Sequence, residues 1–155
     1  MISVNELADY LIVKCDEAGS SLSNLKLQKL AYYADAWHLA FYGEKLIDSD
    51  FEAWIHGPVN RELYNRFSSE KSLYSDMLLS DCSETFSIES IADKVEHIDS
   101  VLATYGKFSG AQLEEMTHRE EPWIQARAGY RPTQRCEIKI SNEVVEEYYK
   151  SRLKA

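Results

Sequence analysis

A chain of 155 residues is long enough to bury a core of its own, and one domain spanning 1–155 is the economical expectation. Its net charge of −9 repels phosphate and argues against direct nucleic-acid binding, and it holds no run of about eighteen apolar residues to cross a membrane. Three widely spaced cysteines (Cys15, Cys82 and Cys136), with no C-x-x-C pair, exclude a disulfide framework and a zinc ribbon.

The opening "MISVNELADY" lacks the basic and apolar regions of a signal peptide, so a cytoplasmic protein is expected. The same residues open a helix. Ser3 and Glu6 have capping-box spacing, with Ile2 and Leu7 as its hydrophobic staple. Val4, Leu7, Ala8, Leu11, Ile12 and Cys15 then form one apolar stripe that stops at Gly19. After a serine-rich turn comes "KLQKLAYYADAWHLAFYG", residues 26–43, apolar or aromatic nearly all round and ending on a natural C-terminal glycine. It reads as the central helix, although Lys26, Lys29, Asp35 and His38 lie on it.

In "DFEAWIHGPV", Phe51, Ala53 and Ile55 alternate with Glu52 and Trp54 at strand spacing. Pro58 suits the first position of a new helix running through Leu63, Tyr64 and Phe67. Seven serines between Ser68 and Ser87 mark a long irregular connection. Helical period returns from Ile88 and runs to Tyr105. Ser109 and Gln112 form a second capping box, and "EEPWIQAR" opens another helix with Pro122 in its first turn. "CEIKI", residues 136–140, is a further strand candidate. A closing helix at about 141–154 has acids early and Lys150, Arg152 and Lys154 late, which suits the helix dipole. The sum is a mainly α, compact multi-helix domain with a short two-stranded β pairing.

Charge is uneven along the chain. Between Asp76 and Asp99 stand seven acidic residues and one lysine, a solvated face or a landing patch for a basic protein. Ten tyrosines and three tryptophans suit a core and an interface equally. Of these, Trp37, Trp54, Tyr64 and Trp123 would be hot-spot residues wherever they reach the surface.

Enzymatic chemistry finds little purchase. No G-x-S-x-G elbow, phosphate loop or H-E-x-x-H appears, so neither a catalytic residue nor a metal or cofactor is expected. The alternative is a metal-dependent hydrolase built from His38, His56, His118 and Glu120. Lys29 sits among core candidates. It must pair internally with Glu52, Glu120 or Glu121, snorkel outward, or anchor the floor of a binding groove beside Tyr33.

Three segments in order carry a resemblance: "LQKLAYYADAWHLAFYG", "FEAWIHGPVNRELY" and "FSGAQLEEMTHREEPWIQAR". Leu27, Gln28, Lys29, Leu30, Gly57, Pro58, Thr117, His118, Pro122 and Trp123 are among the matching positions, over about residues 25–127. Together they resemble the signature blocks of the Panacea-domain, SocA-like antitoxins of bacteria and their phages. The resemblance implies a mainly helical, non-enzymatic protein that neutralises a co-encoded toxin by direct contact. A proteolytic-adaptor role, delivering the toxin to a protease, is the alternative. No DNA-binding segment is expected beside the domain. The partner-binding candidates are Lys29, Tyr33, Trp37, His38, Trp54, His56, Tyr64, His118, Glu120 and Trp123.

Overall fold

The computed structural model describes residues 1–153. Its elements run α1 (Val4–Glu17), α2 (Asn24–Tyr42), β1 (Phe51–Trp54), β2 (Gly57–Asn60), α3 (Arg61–Phe67), α4 (Val95–Tyr105), α5 (Gly110–His118), α6 (Glu121–Ala126) and α7 (Asn142–Leu153). The mainly α expectation holds. Both capping boxes form: Ser3 with Glu6 opens α1, and Ser109 with Gln112 opens α5. Lys154, assigned to the closing helix, lies outside the described residues.

Helix α2 is the axis. Of its 19 residues only Trp37, Phe41 and Tyr42 are not buried, and Gly43 ends it at φ +72°. α1, α4, α5, α7 and β2 all pack against it. One connected apolar core follows, with Leu7, Leu11, Leu27, Leu30, Leu63 and Leu113 fully enclosed.

Three local expectations change. Pro58 does not start a helix; it lies in β2, paired with Ala53 across an antiparallel hairpin. The reason is local: Gly57 at φ +95° closes the tight Ile55–His56 turn, so the chain reverses before it can coil. Asn60 caps α3 instead, accepting from the Leu63 N–H at 3.0 Å. Residues 136–140 form no full strand, and β1 takes its strand partner from β2. The segment still runs beside β1, with Ala53 N donating to Ile138 O at 2.8 Å and Ile140 N to Phe51 O at 2.9 Å. The stretch from Ile88 begins as a 3-10 turn, breaks at Ile91 and becomes α-helical only at Val95.

Among the described residues the outer edge of β2 has no strand beside it, and α2 side chains supply the missing partners. The Gln28 carboxamide accepts from Asn60 N at 2.8 Å and donates to Asn60 O at 3.2 Å. One residue on, Lys29 Nζ donates to Pro58 O at 2.9 Å. From the other side Trp123 Nε1 donates to Trp54 O at 2.8 Å and Arg127 Nη1 to Ala53 O at 2.9 Å. The three sequence blocks therefore converge on one hairpin, clamped between α2 and the α5–α6 corner.

Candidate functional site

Lys29 is fully buried and neither snorkels nor reaches Glu52, Glu120 or Glu121. Its stem lies over Gly57: a Cβ there would stand 2.8 Å from Lys29 Cε and 2.8 Å from Thr117 Oγ1. Burial lowers the Lys29 pKa to about 7, opposed by the carboxylate of Glu114. Glu114 also meets His56, whose Nδ1 lies 3.2 Å from its Oε1. His118 completes this corner. Its ring stacks on Trp123 at 4.1 Å, and burial holds its pKa below the usual imidazole value. His118 Nε2 is enclosed and has no hydrogen-bond partner among the described residues.

Above the corner lies a partly exposed aromatic face. Trp54 and Tyr64 meet edge-on at 4.9 Å, and the Arg61 guanidinium lies 5.2 Å from the Trp54 ring. Arg61 is held by Glu52 at 2.9 Å and Glu137 at 2.6 Å. A cleft of about 340 Å³ opens between Trp54, His56, Tyr64 and Cys136.

Tyr33 and Glu120 belong to a second group. Glu120 Oε1 accepts from Tyr33 OH at 2.9 Å and Tyr149 OH at 2.7 Å. Burial raises the Glu120 pKa while these two donors oppose the rise. Tyr33 stacks on Tyr105 at 4.0 Å, and Trp37 Nε1 donates to Tyr105 OH at 2.7 Å. This polar, aromatic group is where α7 meets α2.

His38 forms a third group, near the far end of α2. Nine residues from Lys29, it lies about 13 Å along the axis at helical rise. Its Nδ1 donates to Glu44 O at 2.6 Å, and its ring meets His97 at 5.1 Å. The partner-binding candidates Lys29, Tyr33, His38, Trp54, His56 and His118 thus fall into three separate settings rather than one groove. Among the described residues no three His, Cys, Asp or Glu side chains gather at metal-binding distance. No helix among them is long and apolar enough to cross a membrane.

Sequence reasoning missed Asn60, Glu114, Arg127, Phe41, Tyr42 and His97. Arg127 ends the third sequence block and donates to four carbonyls (Ala53, Arg131, Pro132 and Gln134), which a buried arginine after Trp123 could have signalled. The others carry no local signal.

Comparison with known proteins places the chain in a family. The family described as "Antitoxin SocA-like, Panacea domain" matches residues 27–124, which run from the Gln28–Lys29 clamp to the α6 corner. The chain belongs to that family. Antitoxin SocA of Caulobacter vibrioides (strain NA1000 / CB15N) is 29% identical over 156 residues, covering 96% of this chain and 83% of that protein. No solved structure matches.

Proposed function

We propose that this chain is the antitoxin of a toxin–antitoxin pair and neutralises a co-encoded toxin by direct protein–protein contact, without catalysis. The family match over residues 27–124 carries the reading, and the extent of the likeness to antitoxin SocA supports it. The three blocks are the scaffold of that contact. Lys29, Tyr33 and Glu120 act from beneath, positioning the hairpin and α7. Contact itself falls to the partly exposed candidates. Trp54, His56, Tyr64, His118 and Trp123 frame the hairpin corner, and Trp37 stands further along α2, with the buried His38 supporting the end of that helix from within.

Growth rescue tests the reading. The neighbouring reading frame is expressed alone and then with this protein. Toxicity relieved by this chain is the expected result, and toxicity without relief rejects it. Toxin half-life separates masking from delivery to a protease. It stays unchanged or lengthens under masking and shortens if the chain is an adaptor.

A further inference from the structure

The C-terminal end of α2 carries an aromatic surface that takes no part in clamping the hairpin. Phe41 is 55% exposed and Tyr42 62%, unusual for adjacent large rings at the end of an otherwise buried helix. They adjoin two buried imidazoles. His38 lies 4.7 Å from the Tyr42 ring, and His97 lies 5.8 Å from Tyr42 and 6.3 Å from Phe41. Both imidazoles are fixed in orientation. His38 donates to Glu44 O and His97 Nε2 donates to Ala34 O at 2.8 Å, since a carbonyl can only accept. Beside them lies a cleft of about 470 Å³ lined also by Glu44, Asp93 and Glu96.

Three features favour a cation in that cleft. Aromatic faces attract cations through their quadrupoles. Three carboxylates face one cation, Lys94, which already lies 3.9 Å from Asp93. The C-terminal end of the α2 dipole is negative, and the last turn of α2 holds no basic residue to offset it. The two exposed rings add a different requirement. A free ion would leave them bare, whereas an apolar segment carrying the cation would cover them.

We propose that this surface docks the protein partner. An apolar segment covers Phe41 and Tyr42 while one of its arginine or lysine side chains enters the cleft against His97 and the carboxylates of Asp93 and Glu96. The identity of the partner as the toxin rests on the antitoxin reading; the chemistry of the cleft does not.

Two measurements test it separately. The first is an NMR titration of the histidine ring protons with N-acetyl-arginine methylamide, with N-acetyl-leucine methylamide as the neutral control. The His38 and His97 signals should move with the arginine probe alone, and Glu96→Lys should abolish the movement. Silent rings, or equal movement with both probes, overturn the cation site. The second compares toxin binding by wild type, Phe41→Ala/Tyr42→Ala and Asp93→Lys/Glu96→Lys, each checked for folding by circular dichroism. The aromatic pair should weaken binding by about 30-fold or more, as hot-spot truncation does. Charge reversal should weaken binding and reduce its salt dependence. Wild-type affinity in both variants rejects the docking surface while leaving the antitoxin reading intact. Failure of wild type to bind the toxin sinks that reading, and the probe titration still decides the cleft.

Discussion

At the residue scale, Gly57 and Lys29 depend on each other. Gly57 takes a backbone conformation that side chains rarely adopt, and the space its Cβ would occupy is filled by Lys29 and Thr117. Gly57→Ala should therefore destabilise by about 2–4 kcal/mol in urea unfolding, combining backbone strain with overpacking. A loss within the scatter of surface substitutions would mean the hairpin can shift. Lys29 makes a pH prediction. Its pKa falls from 10.5 unfolded to about 7 folded, so between those values the unfolded chain holds a proton the folded chain has released. Stability should rise across that window by up to about 1.4 kcal/mol per pH unit, the burial penalty being complete below it. Buried tyrosines such as Tyr33 and Tyr149 have raised pKa values and act oppositely only above their ordinary range. Urea midpoints followed between about pH 7 and 8 isolate the lysine, because the raised thiol pKa values of Cys15 and Cys82 oppose the rise only as pH nears their ordinary range. Lys29→Met should flatten the slope, and a slope equal to wild type would place the titration elsewhere. Little of this was legible beforehand. Lys29 announced itself as a charge among core positions, but its acceptor, Pro58 O, is a backbone atom 29 positions on, and its nearest acid lies on α5.

Among the elements, α7 is held differently from the rest. Only Val145 and Tyr149 of it are buried, and Tyr149 is tied by its hydroxyl to Glu120. Glu120→Ala would leave two tyrosine hydroxyls without their carboxylate, at a cost of about 2–4 kcal/mol. Glu120→Gln keeps an acceptor and removes a desolvated charge, so its loss should stay within about 1 kcal/mol. Equal losses would show that charge, not the acceptor, holds α7. Because burial raises the Glu120 pKa, its protonated form is favoured by folding. That contribution is full below the unfolded value of 4.5 and is lost as pH rises through the folded one. Capping boxes and the ends of α1 and α2 were legible because their partners lie within one turn. The hairpin was not. Pro58 satisfies a helix start as readily as a strand whose N–H is not needed; the Gly57 turn reverses the chain, and Gln28 and Lys29 across the fold then hold the outer edge of the strand. The start of α4 failed for a related reason, since Ile88 and Ile91 keep an apolar spacing that a 3-10 turn can also use.

For the whole molecule, the sequence blocks describe a scaffold more than a contact surface. Gln28, Lys29, Gly57, Pro58, Trp123 and Arg127 hold one hairpin in place, which gives the three separated blocks a common structural role. Outside those clamps, Trp54 and Tyr64 are partly exposed beside the hairpin, and Phe41 and Tyr42 are exposed at the end of α2. A net charge of −9 adds a long-range term, so association with a basic toxin should slow as salt rises. Fast mixing at low and moderate salt reads that directly, and a salt-independent association rate would exclude electrostatic steering. The most direct test of toxin neutralisation by contact is the mass of the mixture, measured by light scattering on purified chain and purified product of the neighbouring reading frame. The expected result is one complex of defined stoichiometry, formed in the absence of any protease or nucleic acid. Separate elution of the two proteins, under conditions where growth is nonetheless rescued, would contradict neutralisation by direct contact.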